Sequence, residues 1–344
     1  MDYRFLGPTG LQVSVLGYGN ANLGPDPWNQ DIHDALIKKC YDHGINFFDT
    51  AEWYGDGACE AVLGKSIKNL KLPREDIVVT TKLWKIGNGV NRVGLSRKHL
   101  IEGVNNSLKR LQLDYVDVIF AHRPDRDTPL EETVRAFDWI VRHGKASYWG
   151  TSEWSPQSII EAIGIADRLG LIRPIVEQPQ YNLFTRERVE VEYGPIYNNF
   201  GLGLTVWSPL AGGILTGKYS EGTPEDSRLN KANALVKEMF FKKHLGEEDS
   251  KKKTAELLKQ LDLIAKSLGA SLAQLALAWC IYNKDVSVTL FGSTKTQQVE
   301  DNIKAAEIYK KITPEIYQQV EGIFKNKPEP GTNFRTWKPL KPRV

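Results

Sequence analysis

The sequence predicts an α/β fold, a (β/α)8 barrel of the TIM type. Eight short apolar runs alternate with helix-like segments, most of them a βα unit of roughly 30 residues apart. No composition break divides the 344 residues. The first run is not followed by a GxGxxG, since Gly17-Tyr18-Gly19 is too short for that fingerprint. Regular strand–helix alternation without that fingerprint favours a closed barrel over an open doubly wound sheet.

The chain opens with a hairpin: Tyr3–Leu6, a Gly7-Pro8-Thr9-Gly10 turn, then Leu11–Val15. The barrel strands are expected near Leu16–Gly19, Asn46–Asp49, Ile77–Lys82, Val116–Ala121, Ser147–Thr151, Ile175–Gln178, Leu204–Trp207 and Ser287–Phe291. Ser96 caps a helix over Arg97–Leu111, whose Leu100, Val104, Leu108 and Leu111 share one face. Thr128-Pro129 opens a helix over Leu130–His143, with Gly144 as its stop. Ser155-Pro156 opens another that ends near Gly170, and Ser271–Tyr282 reads as a strongly apolar helix before the last strand. The long final gap implies an insertion at about 212–253, whose Lys and Glu clusters read as a solvated loop and helix. One domain is expected over 1–325. Residues 326–344 form a Pro-rich basic tail expected to be extended, despite Phe334 and Trp337.

A hydrophobic content of 41% with 25% charged residues is that of a soluble globular protein. A net charge of +3 makes no case for nucleic acid or an anionic membrane as the main partner. No apolar run approaches the ~18 residues of a spanning helix, and Met1–Phe5 lacks the apolar core of a signal peptide. Cys40, Cys59 and Cys280 are scattered, without metal-ligand spacing. No metal site and a cytoplasmic location are therefore expected.

Four polar residues stand at three successive strand ends: Asp49 and Tyr54, Lys82, and His122. The C-terminal end of a buried parallel strand is where such barrels carry their chemistry. Taken singly, each has a plainer reading as a turn, cap or solvated edge. Together they make a general acid with support. A tyrosine is a weak proton donor at neutral pH, and a nearby ammonium favours its ionised form. Asp49 can hold Lys82, and His122 can donate to a carbonyl oxygen as charge develops there. No side chain supplies hydride, so a nicotinamide cofactor is implied.

The chain resembles the aldo-keto reductases, in particular the branch that holds the potassium-channel β subunits and their plant and microbial relatives. Phe48–Tyr54, Thr80-Thr81-Lys82, Gly94–His99, Leu111–Asp117, Tyr148–Ser152, Trp207–Leu210 and Gly217-Lys218-Tyr219 carry the resemblance across almost the whole chain. It implies a barrel closed at its base by the hairpin and a tetrad of Asp49, Tyr54, Lys82 and His122. It implies NADPH as cofactor. Gly19 and Asn20 would lie by the nicotinamide ribose, Ser152 and Gln178 on the carboxamide, and Trp207 stacked on the ring. Ser208, Pro209 and Leu210 would cover the pyrophosphate with Lys218 on a phosphate and Arg228 nearby. Thr294, Lys295, Gln298, Asp301 and Asn302 would hold the adenosine end. Taken alone, Trp207 fits barrel core, Lys218 a solvated lysine, and Thr294 and Gln298 a helix start.

Two departures bear on function. The channel subunits usually carry Asn where this chain has His122, whereas ordinary reductases of the family carry His. Many members carry Asn or Arg at Glu153, which can accept from a carboxamide NH2 but cannot donate; a solvated loop residue is the alternative. Trp53, Trp84, Trp154 and Trp207 are expected around the mouth, suiting aromatic or apolar aldehydes, although each also fits core. The leading reading is a reductase of small carbonyl substrates. The alternative is an NADPH-binding regulatory subunit with a channel partner, in which branch homo-oligomers occur. A phosphate-binding lyase or isomerase leaves Trp207-Ser208-Pro209-Leu210 unexplained.

Overall fold

The computed structural model describes residues 1–21, 29–219, 222, 228–231 and 237–332, without the side chains of 228, 231, 239 and 240. Hairpin strands β1 (Tyr3–Phe5) and β2 (Gln12–Ser14) precede barrel strands β3 (Leu16–Gly19), β4 (Phe47–Asp49), β5 (Val78–Leu83), β6 (Val116–Ala121), β7 (Ala146–Ser152), β8 (Val176–Gln178), β9 (Gly203–Val206) and β10 (Val286–Phe291). The eight barrel strands are parallel, and the sheet closes through pairing of β10 with β3.

Strand alternation sorts the core into two layers. Phe47, Val78, Val118, Phe120, Val176, Val288 and Leu290 point inward and fill the lower barrel together with Leu6 and Val13 of the hairpin. Phe48, Val79, Ile119 and Ala121 point outward into the larger core shared with the helices. The hairpin thus closes the base, as expected. Its turn fits only glycine at Gly7, where φ is +57° and a Cβ would come within 2.2 Å of the Ile175 carbonyl oxygen.

Helices α1 (Gln30–Asp42), α2 (Ala58–Asn69), α3 (Arg97–Leu111), α4 (Leu130–Arg142) and α5 (Pro156–Leu169) pack outside the strands. The Ser96 hydroxyl accepts from the His99 N–H at 3.3 Å, and that of Ser155 from the Ser158 N–H at 3.2 Å, so both expected caps form. The helix Leu272–Tyr282 carries a Ser271/Gln274 capping box and is almost wholly buried. Boundaries differ from expectation by a residue or two where side chains compete with the ladder. Asn46 is drawn out of β4 by its bonds to Ser14. Trp207 leaves β9 to donate its N–H to the Pro179 carbonyl at 3.0 Å.

Within the expected insertion, residues 220–221, 223–227 and 232–236 lie outside the described part. A helix over Glu248–Ser267 begins inside it, with Lys251, Lys252 and Lys253 exposed as expected. Phe334 and Trp337 lie outside the described residues. No single described helix is long and apolar enough to cross a membrane.

Candidate active site

All eight strands deliver a residue singled out in the sequence to the C-terminal mouth. The period-2 pleat decides which side chains reach it. In β5, Thr80 and Lys82 point inward and Thr81 outward; in β8, Gln178 points inward and Glu177 outward.

Asp49, at the end of β4, receives the last two inward residues of β5. Lys82 Nζ donates to Asp49 Oδ2 at 2.5 Å and to the Thr50 carbonyl at 2.7 Å. The Thr80 hydroxyl and the Gln178 amide donate to Asp49 Oδ1 at 2.6 and 3.2 Å. The Lys82 side chain is 0% exposed and that of Asp49 4%, so this is a buried ion pair with its remaining oxygen satisfied. Lys82 Nζ lies 5.0 Å from the centroid of the half-buried Tyr54 ring. The Tyr54 ring meets His122 edge-on, 5.5 Å between centroids at 84°. The expected four residues are therefore brought together.

His122 follows β6 and is held well below the usual imidazole range, first by burial and then by the Lys82 and Arg123 cations. At neutral pH it is an uncharged imidazole that donates one N–H. Trp53 lies edge-on to His122 at 5.7 Å, and Trp84 lies 5.4 Å from Trp53. These two indoles stand at the mouth as expected. Trp154 does not: it is 2% exposed, packs in the outer core, and gives its backbone N–H to Glu177 at 3.2 Å. It leaves β7 beyond the last inward position, Ser152, and so packs against the helix layer rather than lining the mouth.

Ser152 donates to the Gln178 carbonyl at 2.9 Å, which ties the ends of β7 and β8. Gln178 also reaches the Thr205 hydroxyl of β9 at 3.2 Å. After β3, Asn20 is buried, its N–H on the Asp49 carbonyl at 2.7 Å and its amide on the Cys59 carbonyl at 2.9 Å; its Oδ1 has no partner among the described residues. Half-buried Trp207 precedes a segment with positive φ at Ser208, Ala211, Gly212, Gly213 and Gly217. Leu210 and buried Pro209 lie within it, and exposed Lys218 follows. A Cβ on Gly213 would stand 3.0 Å from Lys218 Nζ, so the lysine folds back over the turn. After β10, Thr294 bonds Gln298 through its N–H at 2.9 Å, ahead of the helix Thr296–Ile303 that carries Asp301 and buried Asn302. Exposed Lys295 stands at that helix start. Arg228 begins a short helix, and its side chain lies outside the described residues.

Three features escaped the sequence reading. Arg123 donates through Nη1 to the His122 carbonyl at 2.5 Å and to the Ser152 hydroxyl at 3.1 Å; its place directly after His122 was the available signal. Glu52, buried, accepts from His99 at 2.9 Å and from the Trp84 N–H at 2.7 Å, so it sets where Trp84 stands. Glu52 and His99 lie in the motifs quoted above, but burial is not visible in a motif. Glu153 is not a solvated loop residue: its carboxylate receives the Trp207 indole N–H at 2.8 Å, the Gln180 N–H at 2.6 Å and Arg188 at 2.8 Å.

On the outer face, buried Glu177 accepts from Thr151, the Trp154 N–H and the Tyr193 hydroxyl. Burial outweighs those bonds and pushes its carboxyl from 4.5 to about 8. The folded chain thus holds a proton that the unfolded chain releases near pH 4.5. This contribution to stability is complete at acid pH and is lost as pH rises through about 8. Glu177→Gln cannot ionise. Its stability should gain on wild type between pH 5 and 8, at a slope approaching ~1.4 kcal/mol per pH unit. Denaturant melts across that range check this; parallel stability curves would refute it.

A parallel barrel whose mouth combines a buried acid–lysine pair, a tyrosine and a neutral histidine is built as an oxidoreductase. The chain belongs to the Aldo/keto reductase family, whose model matches residues 15–325. It is 47% identical over 336 residues to a rice (Oryza sativa subsp. japonica) protein described as a probable voltage-gated potassium channel subunit beta, covering 97% of this chain and 100% of that one. It is 46% identical over 346 residues to a protein of the same description from Arabidopsis thaliana, again covering 97% and 100%.

Proposed function

We propose that the protein is an NADPH-dependent reductase of aldehydes and ketones with Tyr54 as the proton donor. The observation that carries this reading is the convergence of Asp49, Lys82, Tyr54 and His122 at the barrel mouth.

The residues present fit a nicotinamide dinucleotide. The positive-φ turn from Ser208 to Gly217, with Lys218 folded over it, suits a pyrophosphate, since such turns aim peptide N–H groups at anions. Asn20 Oδ1 suits a ribose hydroxyl. Ser152, Gln178 and Trp207 would hold the nicotinamide end, and Gln298, Asp301 and Asn302 the adenosine. Lys295 and Arg228 would meet a 2′-phosphate, which favours NADPH over NADH through charge-assisted bonds. When bound, the nicotinamide supplies hydride to the carbonyl carbon. His122 donates its N–H to the carbonyl oxygen as negative charge grows there. Tyr54 gives its proton to that oxygen, and Lys82 stabilises the charge left on the phenol. Asp49 keeps Lys82 aimed through its hydrogen bond. Trp53 and Trp84 form an aromatic wall suited to apolar aldehydes.

The named relatives favour a second reading, a regulatory subunit that holds the cofactor and docks on a potassium channel. His122 separates the two. An Asn amide is shorter and sets its donor farther from the carbonyl oxygen, so His122→Asn should keep NADPH binding and slow turnover. The comparison is single-turnover NADPH oxidation with an aromatic aldehyde. Wild type no faster than the variant would move the regulatory reading ahead.

A further inference from the structure

Glu153 stands directly after Ser152 with φ at +61°, a left-handed conformation that is unfavourable for a residue with a Cβ. In return, its carboxylate is turned across the mouth and meets two neighbouring strand ends. One oxygen takes both the Gln180 N–H at 2.6 Å and the Trp207 indole N–H at 2.8 Å. The other takes Arg188 at 2.8 Å, and Arg188 also reaches the Glu153 carbonyl at 3.3 Å. The ends of β7, β8 and β9 are thus pinned at one anion, and each carries a residue placed above on the nicotinamide: Ser152, Gln178 and Trp207. An indole has one N–H, so anchoring it to a charged acceptor leaves the ring one preferred plane. The Trp207 and Gln180 bonds together engage both lone pairs of that carboxylate oxygen.

On the nicotinamide reading, we infer that Glu153 is a positioning residue that fixes the plane of Trp207, and through it the face of the nicotinamide that gives up hydride. It acts through the indole and not on the substrate. Arg188 holds the carboxylate in place but is secondary to the indole bond.

The test uses the full-length protein with NADPH and an aromatic aldehyde. It reads the NADPH dissociation constant by fluorescence, the facial selectivity of transfer with NADPH deuterated at one C4 position, and the KM for aldehyde. Glu153→Ala should weaken NADPH roughly tenfold, the scale of one lost charge-assisted hydrogen bond. It should also allow transfer from both faces, with the aldehyde KM unchanged. Glu153→Gln keeps an oxygen for the indole and should restore most of both properties. Arg188→Met should leave selectivity intact. Trp207→Phe removes the same bond from its other end and should lose selectivity even if Glu153→Ala folds poorly. Wild-type affinity and selectivity in folded Glu153→Ala would overturn the inference alone, as would Arg188→Met matching Glu153→Ala without rescue by Gln. Wild-type protein that neither binds nor oxidises NADPH would instead overturn the nicotinamide reading, and the inference with it.

Discussion

Tyr54→Phe should reduce carbonyl turnover by roughly 10²-fold or more, the scale of a lost general acid. The substitution removes one oxygen from a half-buried ring that stands at 84° to the His122 ring and has Lys82 Nζ 5.0 Å from its centroid. Ring packing survives, so fold and NADPH affinity should stay near wild type. The loss should appear in kcat and in kcat/KM together, because the proton is delivered only in the transition state. Near-normal reduction by a folded Tyr54→Phe protein would remove Tyr54 from the role of acid and shift attention to solvent or His122.

Lys82→Met should be the most damaging change to stability at the mouth. Among the described residues, Asp49 then keeps the Thr80 hydroxyl and the Gln178 amide for a carboxylate that is 4% exposed. Breaking one side of a buried ion pair costs about 3–5 kcal/mol, since the other charge is left without compensation. Lys82→Met should lower the denaturant midpoint accordingly and lose reductase activity. Asp49→Asn combined with Lys82→Met removes both charges and should recover much of the stability but none of the activity. Chemical denaturation and NADPH oxidation on the same samples separate the two effects. A single variant as stable as wild type would mean that Asp49 does not depend on Lys82.

The barrel was legible because its signal is local. Inward and outward residues alternate along each strand, so Phe47-Phe48-Asp49 and Val79-Thr80-Thr81-Lys82 announce both the strand and its end. Helices α3 and α5 were legible from local signals too: a Ser cap and a 3.6-residue apolar stripe mark α3, and Ser155-Pro156 opens α5. The tetrad came with the strands, since Asp49 and Lys82 are the last inward side chains of β4 and β5 and His122 directly follows β6.

Past the strand ends the alternation stops, and local pattern no longer says where a side chain points. Direction there is set by single φ values and by partners far along the chain. Trp53 and Trp154 occupy comparable places after β4 and β7, yet one stands at the mouth and the other packs in the core. Glu153 read either as an acceptor for a carboxamide or as a solvated loop residue, but its positive φ turns it onto an indole 54 residues away. Glu52 and His99, 47 residues apart, meet because α3 packs behind β5. The sequence by itself determined the strands, their order of use and the chemistry at their ends. The tertiary structure decided which aromatic rings and carboxylates surround that chemistry, because those placements depend on closing the barrel and on the energy of burying charge within it.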